Sequence, residues 1–476
     1  MPSPRLDAIV VGSGPNGLAA AIELARAGRS VRVYEAARVL GGGIRSAELT
    51  LPGFIHDVCS TVVPLAAGSR FFRSLDTAAY GVEWVHPPAP LAHMLQPDRA
   101  VILERDLDTT IASLGRDGPA WGRLFEPLVR DWDSKLADHV LGPPVRFPRH
   151  PIALARFGIP GLMPATALAR LLFRTAEARA LFGGVAAHSI VGLRVPLTSA
   201  FGITLTLLAH VVGWPIVRGG VSRLTDAVVA IARTHGVEFV TDHPVRSLAD
   251  LPEARAVVLD LTPRQVLAVA GDRLRGRYRG GLEHYRYGPG VFKVDWALSG
   301  PVPWRDPAAA RGGTVHLSGT LRDVASAEDA VMRGGHPDRP FILFVQPTAF
   351  DPSRAPEGRH TAWAYTHVPN GSTVDRTEVI EREVERHAPG FRDLILARAV
   401  HDPAAMEAYD ANYVGGDING GIQDVRQAFF RPVVRWDPYA TPLRGLYLCS
   451  SSTPPGGGVH GMSGWHAARS VLRRIG

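Results

Sequence analysis

The sequence predicts an α/β protein: a parallel sheet flanked by helices, interrupted by an inserted α+β domain of antiparallel sheet and helices. A short apolar strand, Ala8 to Val11, runs into the glycine-rich segment Gly12 to Gly17. An alanine-rich helical segment, Leu18 to Ala27, and a second strand, Val31 to Tyr34, follow directly. This order of strand, glycine loop, helix and strand is typical of a Rossmann-type unit.

The inserted domain is predicted from alternating apolar and polar residues further along the chain. Val291 to Leu298 alternates with period two, as a half-buried sheet strand should, and Phe341 to Gln346 and Thr361 to Thr366 follow the same pattern. A helix-rich segment, Leu91 to Trp214, is expected to contribute the helices. Asp323 to Arg339 is expected to be a surface loop.

Length and charge restrict the class of protein. The 476 residues, 46% of them hydrophobic, are enough for two or three packed domains. The formal net charge is +7, but no basic run or aromatic-interleaved stripe occurs, so no nucleic-acid partner is expected. The longest apolar stretches are interrupted by arginine, histidine and proline, so neither is expected to span a membrane. A peripheral membrane contact remains open, because the chain is basic.

Cysteine usage points to a reducing compartment. Cys59 and Cys449 are the only cysteines and lie far apart, so no disulfide framework and no metal-type cysteine pair is expected. The first residues show no signal-peptide pattern. The sequence therefore predicts a cytoplasmic protein without a metal site, and it leaves the oligomeric state open.

Each part of the glycine loop has a role in binding a dinucleotide. Gly12 permits a tight turn, Gly14 lets the backbone approach a pyrophosphate, and Gly17 allows close packing of the helix on the strand. Ser13, Pro15 and Asn16 complete the loop, and the helix N-terminus offers N–H donors and a positive dipole end to the phosphates. Glu35, which follows the second strand and precedes Ala36, is expected to accept hydrogen bonds from the ribose hydroxyls.

The next glycines favour FAD over NAD. Gly41, Gly42 and Gly43 begin six residues after Glu35 and allow a second backbone segment to run along an extended FAD molecule. Ile44 and Arg45 complete this segment. An NAD site has no use for a second glycine segment of this kind.

This combination resembles the superfamily of amine oxidases and phytoene desaturases, whose fingerprint is a glycine pair after the ribose acid. The resemblance implies FAD as cofactor and a discontinuous FAD-binding domain, predicted as residues 1–90, 215–281 and 402–476. The substrate-binding domain is then residues 91–214 and 282–401. It also implies that Val245 contributes backbone contacts to the adenine and that Leu261 follows a strand end pointing at the cofactor.

The C-terminus carries a second glycine segment. A strand ending at Cys449 is followed by Ser450 and Ser451, then by Gly456 to Gly461, and a helix begins near Met462. Relatives of phytoene desaturase carry a similar strand, loop and helix, whose N-terminus faces the pyrimidine side of the flavin. The resemblance therefore places His460, Gly461 and Met462 at the flavin ring, and the two serines near the pyrophosphate.

Further stretches resemble one branch of these relatives, that of pyridine nucleotide-disulphide oxidoreductase domain-containing protein 2 and its bacterial homologues. They are residues 52–60, 187–189, 290–296, 367–371 and 412–421. The chain lacks both a disulfide pair and a second complete dinucleotide fold. Reducing equivalents are therefore expected to pass to oxygen, a quinone or another organic acceptor.

Three functions remain open on the sequence alone. The first is desaturation, dehydrogenation or isomerisation of a hydrophobic isoprenoid- or polyene-like substrate by hydride transfer at flavin N5. The second is oxidation of an amine, for which Tyr409, Tyr413 or Trp465 are the candidates for an aromatic pair beside the flavin. The third is a flavin-binding protein whose role is interaction. The candidate catalytic residues are His460, His188, Tyr413 and Asp417, and His460 is expected to matter most because of its place at the flavin edge.

Overall fold

The computed structural model describes residues 5–475 and contains two large sheets. Its strands are β1 (Leu6–Val11), β2 (Val31–Tyr34), β3 (Ser46–Glu48), β4 (Ile55–Asp57), β5 (Trp84–Val85), β6 (Ala89–Gln96), β7 (Arg99–Leu103), β8 (Ile216–Val217), β9 (Glu238–Val240), β10 (Ala254–Leu259), β11 (Gly290–Leu298), β12 (Gly312–Leu317), β13 (Ile342–Val345), β14 (His360–Val368), β15 (Ile395–His401) and β16 (Leu446–Leu448).

The helices lie mainly in the first half of the chain and at its C-terminus. They are α1 (Pro15–Arg26), α2 (Pro64–Gly68), α3 (Arg70–Arg73), α4 (Leu107–Ser113), α5 (Gly118–Asp131), α6 (Ala137–Val140), α7 (Pro151–Gly161), α8 (Ala165–Leu172), α9 (Ala176–Ala186), α10 (Thr198–Val211), α11 (Ser222–Thr234), α12 (Pro263–Ala270), α13 (Gly276–Glu283), α14 (Leu321–Met332), α15 (Thr377–His387), α16 (Pro403–Tyr409), α17 (Val425–Phe430) and α18 (Met462–Ile475).

The first sheet is the predicted Rossmann-type sheet. Its strand order is β16-β10-β1-β2-β9, and every pair is parallel. These strands come from three separate parts of the chain, as the alternation of sequence patterns predicts. Except in the edge strand β9, their interiors are apolar and buried, which a parallel sheet covered on both faces requires.

The second sheet has seven strands in the order β15-β11-β14-β13-β12-β6-β7. The predicted strands are present, but the sheet is mixed, because β6 pairs with β12 in parallel. A parallel pair needs a long crossover, and here it runs through the helical segment that packs on the sheet. The region predicted as helix-rich from Leu91 therefore begins with two strands of this sheet.

The prediction of a surface loop from Asp323 to Arg339 is wrong for its first half. Helix α14 begins there, with a capping box in which Thr320 accepts from the N–H of Asp323 and the Asp323 side chain accepts from that of Thr320. Val324, Ala325 and Val331 are buried. The capping residues and the apolar spacing were both present in the sequence, and many charged residues on the other face obscured them.

No single helix among residues 5–475 has the length and apolar character needed to cross a membrane. Helices α7 and α8 meet that requirement only when taken together, and they are bent by 103° at their junction.

Candidate active site

The loop between β1 and α1 is built from glycines that have no room for side chains. Gly12 has a φ of +98°, in the left-handed region. A Cβ atom on Gly17 would collide with the carbonyl oxygen of Gly12, and a Cβ atom on Gly14 would lie 2.8 Å from Oδ2 of Asp260. The turn therefore requires glycine both for its conformation and for its close packing.

Glu35 lies beside this loop at the end of β2. Its Oε2 accepts hydrogen bonds from the backbone N–H of Ser13 at 2.9 Å and from the Ser13 hydroxyl at 2.6 Å. Its Oε1 accepts from the N–H of Ala37 at 2.9 Å. Because each carboxylate oxygen has further lone pairs, Glu35 is held in place and can still accept from ribose hydroxyls.

The second glycine segment packs directly on the first. Gly41 and Gly42 have φ values of +118° and +52°, and a Cβ on Gly42 would lie 2.9 Å from Cα of Gly14. Arg45 anchors the segment: its Nε donates to the carbonyl oxygen of Gly42 at 2.8 Å, and its guanidinium lies 4.1 Å from the centre of the Tyr409 ring. Ile44 is fully buried beneath the segment.

These residues fit an extended dinucleotide such as FAD. The backbone of Gly12, Gly14, Gly42 and Gly43 is partly exposed, whereas the strands around it are buried. Asn16 also carries a buried Oδ1 atom that has no hydrogen-bond partner among residues 5–475. The predicted residues that would hold FAD are Gly12 to Gly17, Glu35 and Ala36, and Gly41 to Arg45. When bound, FAD supplies an acceptor for a hydride.

Asp260 belongs to this region and was missed by the sequence analysis. It follows β10, and its Oδ2 accepts from the N–H of Gly17 at 2.9 Å, so one helix donor predicted to be free is already used. Burial raises the pKa of Asp260 to about 7, and the carboxylates of Asp410 and Glu35 add to the effect. An acid at the carboxyl end of a parallel strand was the available signal, since such ends meet at the ligand site.

The C-terminal loop connects β16 to α18 and lies beside the dinucleotide loop. The hydroxyl of Ser450 donates to the carbonyl oxygen of Leu261 at 2.8 Å, so these two predicted site residues are adjacent. The carbonyl of Ser451 accepts from Arg431. A Cβ on Gly464 would collide with the carbonyl of Asn16, which shows how closely α18 packs on the start of α1.

Both ring nitrogens of His460 have hydrogen-bond partners within its own loop. Its Nδ1 accepts from the N–H of Met462 at 3.0 Å, and its Nε2 lies 3.0 Å from the carbonyl oxygen of Gly456. Burial lowers the pKa of His460 to about 4, so the ring is neutral. The imidazole therefore caps α18 and shapes the loop, and neither nitrogen is free to donate to a flavin. Gly461, with a φ of +67°, packs on Phe71.

The remaining predicted residues occupy different surroundings. Asp417 is buried, and its carboxylate accepts from the N–H groups of Gly288, Asn419 and Gly421, so it fixes a loop. The hydroxyl of Tyr413 lies against Gly43, beneath the second glycine segment. Val245 is partly buried and packs against the apolar cluster that includes Ile9, Val11 and Leu259 of the parallel sheet.

A cavity of about 550 Å³ lies between the seven-stranded sheet, the C-terminal loop and the helical segment. Residues 59–65 and the C-terminal loop form one wall, helices α7 and α10 form another, and β13 and β14 form the floor. His188 and His460 line it, whereas Tyr413 and Asp417 do not. Its lining contains no aspartate or glutamate among the described residues, and most of the exposed wall is apolar.

Two further features of this region escaped the sequence analysis. The aromatic pair on the cavity wall is Trp363 and Tyr365, with ring centres 5.8 Å apart. Trp465 packs instead against Arg469 on α18. Behind the wall, Lys293 donates to Asp295 and, at 3.1 Å, to the carbonyl oxygen of Asp57. The spacing Lys-x-Asp on a period-two strand signals this pair, because both side chains then lie on one face.

The fold and the site define a class, an oxidoreductase that uses FAD. Residues 10–77 match the family model of the NAD(P)-binding Rossmann-like domain. Among solved structures, an oxidoreductase from Methanosarcina mazei has a TM-score of 0.66 at 16% identity, over 98% of this chain and 100% of that one. A putrescine oxidase variant has a TM-score of 0.62 at 18% identity, over 99% of both chains. These likenesses establish the shared fold.

Sequence relatives narrow the class. The chain is 27% identical to pyridine nucleotide-disulfide oxidoreductase domain-containing protein 2 of Rattus norvegicus, over 99% of this chain and 94% of the relative. It is 26% identical to hydroxyneurosporene desaturase of Rhodobacter capsulatus, over 98% and 97% of the two chains. Over almost its whole length the chain is similar to the phytoene desaturase and amine oxidase-like FAD flavoproteins.

Proposed function

We propose that this protein is a dehydrogenase, desaturase or redox-neutral isomerase of a hydrophobic isoprenoid- or polyene-like substrate. The cavity carries the proposal: it is large, mostly apolar, and adjoins both the C-terminal loop and the segment that follows the second glycine motif. Apolar walls bind a hydrocarbon chain by removing its surface from water. The desaturase among the relatives, whose name gives hydroxyneurosporene as its substrate, supports this substrate class.

The same cavity favours this function over amine oxidation. A protonated amine that leaves water is stabilised by an acidic partner or by aromatic rings, and the pair Trp363 and Tyr365 supplies the rings. The lining offers no carboxylate among the described residues, and the charged side chain it does contain is Arg146, which is itself a cation. Amine oxidation is therefore the runner-up, and it is an outcome that the experiment below distinguishes.

His188 is the residue we propose for proton transfer. Burial lowers the pKa of His188 to about 3, so the ring is neutral at physiological pH. A hydride lost from an allylic carbon leaves a resonance-stabilised cation, and the proton on the neighbouring carbon becomes strongly acidic. A weak neutral base is enough to take that proton, and it adds no positive charge beside the cation. His460, Tyr413 and Asp417 then hold the surrounding loops in place.

The deciding experiment is anaerobic reduction of the FAD-loaded protein. We expect polyprenoid or carotenoid extracts to bleach the flavin absorbance, and amines such as putrescine to leave it unchanged. Bleaching by amines alone would replace this proposal with amine oxidation. No bleaching by either class, together with no isomerised polyprenoid product from either the oxidised or the dithionite-reduced protein, would indicate a flavin-binding interaction protein.

Replacing His188 tests its role once a substrate is found. We expect His188→Ala to lower the first-order rate of flavin reduction about a hundredfold, because a positioned acid or base commonly contributes that much. The concentration of substrate giving half the maximal rate should change little. His460→Ala should act mainly through loop order and FAD content. A His188→Ala rate equal to that of the unmodified protein would remove His188 from the chemistry.

We further propose a peripheral membrane contact at the mouth of the cavity. Helix α7 turns Leu154 and Phe157 toward the cavity, while Ile159 is 69% exposed on its outer side. Phe147 before it is 90% exposed and Leu171 on α8 is 69% exposed. These side chains are interspersed with exposed arginines at positions 149, 156, 170 and 174. An apolar patch with a basic rim suits an anionic lipid surface.

Vesicle co-sedimentation measures this contact. We expect binding to vesicles that contain anionic lipid, and the double variant Phe147→Ser with Ile159→Ser to weaken it at least about tenfold, since each side chain loses the transfer of its apolar surface into lipid. Leu396→Ser is the matched control, because Leu396 is an apolar side chain, 47% exposed on the edge strand β15, outside the patch. Equal binding of all three proteins would overturn the contact.

We also propose a cytoplasmic location. The proposed electron acceptor is oxygen, a quinone or another organic molecule.

A further inference from the structure

Three histidines lead away from the cavity in a line: His188 is partly exposed at the cavity wall, and His316 and His93 are fully buried. His188 lies in the turn after α9, His316 on β12, and His93 on β6, where it pairs in register with His316. The Nε2 atoms of His188 and His316 are 3.0 Å apart. The Nε2 atom of His93 lies 2.7 Å from the carbonyl oxygen of Gly319. The set joins the cavity wall to the turn that follows β12.

The tautomer of His93, at the far end of the line, is fixed by its hydrogen bond. A carbonyl oxygen only accepts, so Nε2 of His93 carries the proton. Burial lowers the pKa of His93 to about 4, so the ring is neutral and its Nδ1 has a lone pair. At the other end, His188 lines the cavity, and the hydrogen bond of its ring to the described residues is that of Nε2 with His316.

The tautomer of His316, in the middle of the line, follows from its two neighbours. Nδ1 of His93 and Nδ1 of His316 are both buried without a hydrogen-bond partner among residues 5–475. A Cβ atom on Gly184 would collide with both of them, so the two nitrogens face one small space that the glycine leaves open. If Nε2 of His316 accepts from His188, its Nδ1 is a donor that faces the acceptor on His93. The opposite assignment would leave two lone pairs facing each other.

We propose that His93 and His316 are positioning residues that hold His188 as its Nε2–H tautomer, with the Nδ1 lone pair toward the cavity. Each N–H bond then points away from the cavity. The N–H of His188 points to His316, and that of His316 points to His93 across the space above Gly184. The N–H of His93 points to the carbonyl of Gly319. The lone pair of His188 is thereby presented to a substrate without any change in protonation. The catalytic use of that lone pair rests on the proposed function, whereas the tautomer does not.

The tautomer is measured by nitrogen NMR on the FAD-loaded protein labelled with ¹⁵N-histidine, with His188 assigned from the signals lost in His188→Asn. We expect His188 to show a protonated Nε2 and an unprotonated Nδ1, favoured at least tenfold. His93→Leu should reduce this ratio to near unity. His93→Gln should restore it, because its amide can donate to Gly319 and accept from His316.

His210→Asn is the matched control. His210 is another buried histidine whose ring lies against a backbone carbonyl, that of Arg105 at 3.2 Å, but it is outside the line. We expect it to leave the His188 signals unchanged. A protonated Nδ1 on His188 in the unmodified protein, or an unchanged ratio in a folded, FAD-containing His93→Leu variant, would overturn the proposal. If His93→Leu does not fold, His316→Asn provides the same test. Because no substrate is used, a failed search for substrate would not affect this result.

Discussion

Gly14→Val should yield a folded protein without FAD. Its Cβ would lie 2.8 Å from Oδ2 of Asp260, and the branched methyl groups would add bulk to a loop whose backbone must approach a pyrophosphate. The ratio of flavin to protein, measured from absorbance after purification, should fall below about one tenth of that of the unmodified protein, which corresponds to more than about 1.4 kcal/mol of lost binding at matched ligand concentration.

Gly280→Val is the control for this substitution. Gly280 lies within α13, and a Cβ atom there meets nothing within 4 Å. The control should keep its FAD and lose only the small stability that valine costs in a helix. Circular dichroism should show both variants folded. Stoichiometric flavin in Gly14→Val would show that the glycine loop is not the pyrophosphate site.

Arg354→Leu should lower the free energy of unfolding by about 3–5 kcal/mol, because removing one partner of a buried ion pair leaves uncompensated charge. Arg354 is fully buried and donates to Asp57, to Asp351 at 3.0 Å and to the carbonyl of Val217 at 2.7 Å. The Asp57 carboxylate also accepts from the N–H of Val221 at 2.8 Å. Arg354 thus links the seven-stranded sheet region to segments beside the parallel sheet.

Urea unfolding of the FAD-loaded protein, followed by circular dichroism, measures this loss. Arg311→Leu is the matched control, since Arg311 also pairs with a carboxylate, that of Glu104 at 2.8 Å, but its side chain is 47% exposed. Exposed pairs are screened by water and contribute at most about 1 kcal/mol. A loss for Arg354→Leu no larger than that for Arg311→Leu would mean that the network adds little net stability.

The sequence was most informative where a function is encoded in neighbouring residues. The strand, glycine loop, helix and acid from Ala8 to Glu35 all lie within one short segment, and the structure confirms their order. The same holds for the period-two strands at Val291 and Thr361, which became β11 and β14. Local steric rules, namely positive φ at glycine and side-chain alternation, were enough to recognise these elements.

Prediction from sequence failed where local patterns competed. The charged face of α14 suggested a loop, although the capping box at Thr320 and the apolar spacing indicated a helix. The region after Leu91 was assigned to helices as a whole, and β6 and β7 were overlooked. A short strand inside a helical region gives a weak signal, because its neighbours along the chain do not share its period.

The sequence by itself determined the cofactor class and the main elements of the dinucleotide-binding domain, since these depend on contiguous residues. Only the tertiary structure decided which polar groups meet. Asp260 contacts Gly17 from 243 positions away, and His188 meets His316 across 128. His460 was predicted at the flavin edge, yet both its nitrogens are used within four residues. Hydrogen-bond partners are set by the packing of distant strands and loops in space, so they cannot be predicted from the spacing of residues along the chain.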